Sequence, residues 1–311
     1  MIDVEGLVKS FGWREPVSAL ENVSFQVDTG VVHGLLGSKG AGKTTILRIL
    51  ATTLRPDGGS AKVGGFDVVA DARKARPVLG FMPDVTDFRL WEDGLDYLRF
   101  WARVSGLPGR KARGRIEEVT NFLAISDDLS GNPAGYTKGQ QKKLALAQAL
   151  LSDPKVLLLD EPLTGVAGED REGLLGVMRE LSRQGATILL TSPLLKDAAA
   201  ACDRISVIVE GRAMPGLETK TLLTRVGQGR HARIFVKVDG GVSATSALKD
   251  IDGVIEVEEA PTVTVAYVDP GKIDAQRLKE ALTERGLQVS QTKEAEMTLG
   301  DVFRAIVGSE D

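Results

Sequence analysis

The sequence predicts an α/β fold with a largely parallel, buried sheet, followed by a small α+β unit. Three observations predict it. A glycine-rich loop, Gly37–Thr45, stands between a short apolar strand and an amphipathic helix. Short apolar runs at Val156–Leu159, Thr187–Leu190 and Ile205–Val209 alternate with helical stretches, the pattern of a sheet covered on both faces. Beyond residue 230 the order changes to β-α-β-β-α-β.

Along the chain, Ile2–Val8 and Ala19–Val27 are rich in apolar and β-branched residues and read as strands. Val31–Leu36 is a short buried strand feeding the glycine loop, and Thr44–Thr53 is a helix with Ile46, Leu47, Ile49 and Leu50 on its apolar face. Arg55-Pro56-Asp57-Gly58-Gly59 reads as a strong breaker. Residues 84–150 read as mainly helical. Leu95, Leu98, Trp101 and Ala102 keep helical spacing, as do Ile116, Val119, Phe122 and Leu123, and a third helix spans about Gly139–Leu151.

Gly227-Gln228-Gly229-Arg230 is read as a linker, which divides the chain into domains 1–226 and 230–311. After it come strand Ala232–Val238, helix Ser243–Asp250, strands Val254–Glu259 and Val263–Val268, helix Asp274–Arg285, strand Leu287–Gln291 and helix Leu299–Val307. Ile234, Val236 and Val238 alternate as a half-buried strand should. This order is that of a split βαβ, ferredoxin-like domain.

Composition narrows the function classes. The net charge is −4, and from residue 229 on there are 10 Lys and Arg against 15 Asp and Glu. That argues against a nucleic-acid binder held by a broad basic surface. The single cysteine, Cys202, excludes an intrachain disulfide and fits a reducing cytosol. The first residues show no signal-peptide pattern, and no apolar run is long enough to cross a bilayer. Any membrane part is expected on another chain.

Gly37-Ser38-Lys39-Gly40-Ala41-Gly42-Lys43-Thr44 fits G-x-x-x-x-G-K-[ST] between a strand and a helix. Such glycines let backbone amides close around phosphate oxygens, and the helix N-terminus faces the same charge. Lys43 is expected on the β- and γ-phosphates and Thr44 on Mg²⁺, with Thr45 completing the loop. Val156-Leu157-Leu158-Leu159-Asp160-Glu161 supplies the second half: Asp160 for the Mg²⁺ shell and Glu161 as a general base for water.

With Tyr136-Thr137-Lys138-Gly139-Gln140-Gln141-Lys142-Lys143, these motifs make residues 2–225 resemble the ATP-binding subunit of ABC transporters. The resemblance implies a P-loop NTPase fold of ABC type with a helical subdomain at about 84–150. It implies ATP and Mg²⁺ as cofactors and a head-to-tail dimer. Thr137, Lys138, Gly139 and Gln140 would contact the partner's ATP. The dimer is a homodimer or a heterodimer with another such subunit, acting on a separate membrane permease from the cytoplasmic face of the membrane. Phe11 stands where the family stacks an aromatic on adenine, or else is a core phenylalanine. The C-terminal unit looks like the small extension of many bacterial exporter ATPases. Phe88, Trp91, Tyr97 and Trp101 are read either as a permease-docking surface or as the core of the helical subdomain.

Four positions depart from the family pattern. Gly80-Phe81-Met82-Pro83 is followed by Asp84 in place of Gln; a carboxylate still suits Mg²⁺ but cannot donate an amide hydrogen bond. Lys138 replaces a signature glycine, Ala167 replaces the D-loop aspartate, and Pro193 replaces the switch histidine. The two histidines of the chain, His33 and His231, are expected to be structural or surface residues. Losing one electrostatic contact to a transition state typically costs ~10²–10³ in rate. The expectation is therefore ATP binding with slow hydrolysis, in an exporter subunit. The alternative is a regulatory or scaffold protein that binds ATP and dimerises without transport. A third reading, a DNA-repair or chromosome ATPase, is disfavoured by the acidic charge and by the absence of sustained heptads between Lys43 and Asp160.

Overall fold

The computed structural model describes residues 1–12, 14, 16–214, 216–228, 232–238, 244–259, 264–269 and 271–295. The chain divides into two compact units, Met1–Thr219 and Lys220–Asp311. The first contains β1 (Ile2–Phe11), β2 (Val17–Val27), β3 (Val32–Leu36), α1 (Lys43–Leu50), β4 (Gly58–Val63), β5 (Phe66–Asp67), α2 (Ala72–Ala75) and β6 (Leu79–Met82). Helices α3 (Gly94–Val104), α4 (Gly109–Phe122) and α5 (Lys138–Leu150) come next. Then come β7 (Val156–Leu159), α6 (Gly168–Arg183), β8 (Thr187–Ser192), α7 (Leu195–Ala201), β9 (Arg204–Val209), β10 (Arg212–Ala213) and β11 (Leu217–Glu218). Helix α8 (Thr219–Gln228) opens the second unit, so Gly227 and Gln228 are helical where a linker was expected.

Strands β9-β3-β8-β7-β6 are parallel neighbours, with β10 and β11 antiparallel on β9. Every residue of β3, β7 and β8 is buried, which is why these segments are mainly apolar rather than alternating. The expectation of a largely parallel sheet holds for this layer only. A second, antiparallel sheet of order β2-β1-β4-β5 covers the start of the chain. Its strand β4 begins at Gly58-Gly59, inside the stretch read as a breaker. There, pairing with β1 from Ile2↔Val63 to Val8↔Gly58 overrides the local preference. Helix α1 packs Ile46, Leu47, Ile49 and Leu50 in one core with Val4, Leu7, Leu20 and Val23 of the antiparallel sheet and Leu35, Leu158 and Leu189 of the parallel one.

The helical segment is real, and α3 and α5 start on side-chain caps whereas α4 does not. Asp93 accepts from the Asp96 N–H at 2.7 Å to start α3. Thr137 and Gln140 form a capping box that starts α5. No helix among the described residues is long and apolar enough to cross a membrane.

The second unit continues with β12 (Ala232–Val238), α9 (Thr245–Lys249), β13 (Val254–Glu259), β14 (Thr264–Val268), α10 (Ala275–Glu284) and β15 (Val289–Ala295), and its four strands form an antiparallel sheet of order β13-β14-β12-β15. The expected ferredoxin-like unit is present. Ile234, Val236, Ala266 and Val268 on one face pack with Leu248 of α9 and Leu278 and Leu282 of α10. The expected helix Leu299–Val307 lies outside the described residues.

Candidate functional site

The site is built at the C-terminal ends of the parallel strands. Leu36, the last residue of β3, lies opposite Ser192 of β8 and Val207 of β9. The loop then turns: the Gly37 N–H donates to the Ser192 carbonyl at 3.2 Å, and the Ala41 N–H to the Ser38 carbonyl at 3.2 Å. Gly42 caps α1 with φ 102°, in the left-handed region. A Cβ there would also meet the Ala19 carbonyl oxygen at 2.5 Å, so only glycine fits. No side chain caps α1, which leaves its first-turn amides for an anion.

Ser38, Lys39 and Gly40 are exposed, Gly37, Ala41 and Lys43 are buried, and Thr44 and Thr45 are half-buried. Lys43 Nζ donates to the Gly37 carbonyl at 2.8 Å and the Ser38 carbonyl at 2.9 Å, folded back over the loop. Burial lowers its pKa, opposed by the carboxylates of Glu161, Asp160 and Asp84. These three acidic groups thus share the electrostatic neighbourhood of Lys43.

Register explains the acidic pair. Leu159 of β7 lies opposite Leu190 of β8, so the next residues, Asp160 and Thr191, come side by side. Thr191 donates its hydroxyl to Asp160 Oδ1 at 2.6 Å and accepts the Glu161 N–H at 2.9 Å. Asp160 is 1% exposed, and Glu161 is half-buried with φ 48°.

Asp84 is ion-paired. Its carboxylate is paired to Lys142 Nζ at 2.9 Å, and the same ammonium donates to the Asp84 carbonyl at 3.0 Å. In the signature stretch, the Thr137 N–H donates to Gln140 Oε1 at 2.9 Å and the Gln140 N–H to Thr137 Oγ1 at 3.2 Å. Both side chains are therefore occupied in the cap. Lys138 is exposed. Gly139 is buried against α6, where a Cβ would overlap the Asp170 carboxylate, itself paired to Lys143 at 2.7 Å. Ala167 caps α6 without a side-chain acceptor.

Phe11 ends β1 and is 45% exposed, with the Lys9 ammonium 5.7 Å from its ring centroid, so it is not a core residue. His33 is 1% exposed, bonds Ser206 Oγ at 2.9 Å and stacks on Phe25. Burial, reinforced by Arg204, pulls its pKa down to about 4. His231 lies outside the described residues. The aromatic group divides: Phe88 and Tyr97 are buried, while Trp91 and Trp101 are half-buried around them.

The sequence reading missed Thr191 and Lys142. Each carried a signal. Thr191 is a hydroxyl at the end of an apolar strand. Lys142 lies at helical spacing from Gly139 and Leu146, all three buried in α5.

Residues 20–164 match the family model described as ABC transporter. Over 310 residues the chain is 32% identical to the daunorubicin resistance ATP-binding protein DrrA3 of Streptomyces coeruleorubidus, covering 99% of this chain and 96% of that protein. The chain belongs to the ATP-binding proteins of ABC transporters. This cassette is also 34% identical over 213 residues to the Nod factor export ATP-binding protein I of Rhizobium etli, covering 68% of this chain and 66% of that one. It matches a solved ATP-binding subunit of an ABC transporter at TM-score 0.62 and 26% identity, over 73% of this chain and 93% of that one.

Cassettes of this family bind ATP with Mg²⁺, dimerise and act with a membrane permease. The residues here fit the metal. The Asp160 carboxylate accepts from Thr191 at Oδ1 and has further lone pairs that would suit a metal-bound water, and Thr44 follows Lys43 in the first turn of α1. Among the described residues no group of three or more His, Cys, Asp or Glu could hold a metal alone. Mg²⁺ carried by phosphates and one or two protein ligands needs none.

Proposed function

We propose that the chain is the nucleotide-binding subunit of a bacterial exporter, peripheral at the inner face of the cell membrane, with slow ATP hydrolysis. The observation that carries it is the convergence of Lys43, Asp160 and Glu161 at the ends of β3 and β7, beside a strand β8 that runs into Pro193. Lys43 and the loop amides bind the β- and γ-phosphates, Thr44 and Asp160 hold Mg²⁺, Glu161 polarises water, and exposed Phe11 stacks on adenine. Thr137–Gln140 presents the helix N-terminus of α5 to the partner's nucleotide, with the exposed Lys138 ammonium beside it.

The residue after β8 supports slow turnover. Pro193 has neither an imidazole nor a backbone N–H. His33 cannot substitute, because it lies in the body of β3 and is held by Ser206 and Phe25. Outward transport is supported by relatives named for daunorubicin resistance and Nod factor export. For the permease contact, the segment before α3 exposes Val85 (81%) and Leu90 (87%), beside the half-buried Trp91. Partner subunits are a second copy or a related cassette, without nucleic acid.

The test is Mg²⁺-ATP turnover of the purified chain, with and without its co-purified permease. Tight ATP binding with turnover at least ~10²-fold below an intact cassette is expected. Turnover equal to an intact cassette and abolished by Glu161→Gln would overturn the slow-hydrolysis reading. A stable ATP-bound dimer that captures no membrane protein would replace transport by a scaffold role.

A further inference from the structure

We infer that Thr191 is a positioning residue for both acidic groups of the site: it orients the Asp160 carboxylate toward Mg²⁺ and fixes the backbone that presents Glu161. This rests on the proposed roles of Asp160 and Glu161. The hydroxyl is completely buried, with Thr191 at 0% exposure. An ionised carboxylate only accepts, so the single hydroxyl proton of Thr191 goes to Asp160 Oδ1, at the short distance of 2.6 Å expected of a charge-assisted bond. The lone pairs of the same oxygen then accept the Glu161 N–H at 2.9 Å. One oxygen thus holds two consecutive residues at the end of β7 from the adjacent strand.

Each bond has a consequence. A carboxylate free to turn about its last torsion exchanges its two oxygens. In this proposal Oδ1 stays on β8 and Oδ2 is the oxygen that serves the metal. Glu161 has φ 48°, a conformation that non-glycine residues adopt only when their surroundings impose it. The bond from its N–H to Thr191 is such a restraint, and it sets where the Glu161 side chain leaves the strand. Thr191 also lies opposite Leu35 of β3, while the next residue, Ser192, accepts the Gly37 N–H. The end of β8 is therefore the spacer between the phosphate loop and the acidic pair.

The experiment measures affinity of the full chain for a fluorescent ATP analogue, in EDTA and in Mg²⁺. It compares wild type with Thr191→Ser and Thr191→Ala, two variants that lose the same methyl group and differ only in the hydroxyl. Thr191→Ser is expected to keep the tightening produced by Mg²⁺. Thr191→Ala is expected to bind as wild type in EDTA and to lose about tenfold of the tightening. Asp160→Asn is the control. If Asp160→Asn loses the tightening while Thr191→Ala and Thr191→Ser keep it equally, the positioning role is overturned and the metal role of Asp160 stands. If Asp160→Asn keeps the tightening, the metal role itself fails. If Thr191→Ala and Thr191→Ser fall together in EDTA, Thr191 is a packing residue and the inference is overturned.

Discussion

Lys142 Nζ lies 2.9 Å from Asp84 Oδ1 and 3.0 Å from the Asp84 carbonyl oxygen, tying the loop after β6 to the buried face of α5. The pair is asymmetric: the Lys142 side chain is 8% exposed and that of Asp84 is 41% exposed.

That asymmetry predicts unequal mutational costs. Removing the lysine leaves Asp84 a carboxylate that water can still reach. Removing the carboxylate leaves an ammonium buried with only a carbonyl for company. Asp84→Ala should therefore destabilise the apo protein by about 1–3 kcal/mol, and Lys142→Met by less than about 1 kcal/mol. Urea unfolding of the two variants checks this; equal costs would contradict the asymmetry, and equal costs below about 1 kcal/mol would reduce the pair to a surface contact.

Gly139 predicts a second-site rescue. A methyl group at this position overlaps the Asp170 carboxylate, which Lys143 holds in place. Gly139→Ala should cost about 1–3 kcal/mol by overpacking, and Asp170→Ala should recover much of that loss in the double variant. Additive costs in a thermal-unfolding cycle would remove Asp170 as the cause.

His33 predicts a pH dependence whose sign is set by burial. Its folded-state pKa is about 4, below the ordinary 6.5, because the buried ring resists protonation. The unfolded chain then binds more protons below pH 6.5, so stability from this group is complete above about 6.5 and is lost as pH falls toward about 4. The loss is on the order of 3 kcal/mol at 1.36 kcal/mol per unit. His33→Gln should flatten this limb of the stability–pH curve, and a limb of unchanged steepness would contradict it.

Legibility in the sequence varied with how local the signal was. The glycine loop, the strand ending in Asp160 and the alternation in β12 depend on neighbouring residues, and β7, β12 and β13 lie at the bounds read from pattern alone. Strand β4 was hidden because its signal is pairing with β1, some fifty residues away, whereas its own residues read as turn. Residues 227–228 resembled a linker and are helical, since composition near glycine does not decide whether a helix continues. The aromatics near α3 had helical spacing, which does not say which rings face inward: Tyr97 is buried, whereas Trp91 and Trp101 are half-buried.

By itself the sequence picked out the residues proposed to carry the chemistry: Lys43, Thr44, Asp160 and Glu161, with Pro193 where the family pattern has a histidine. Short motifs can do this because phosphate and metal binding demand particular donors at fixed spacing along one turn or one strand end. Only the tertiary structure decided how those donors are held. Thr191 is thirty-one residues from Asp160, and Lys142 fifty-eight from Asp84. A hydrogen bond between neighbouring strands, or between a loop and a helix, is set by register and packing, which no local pattern records.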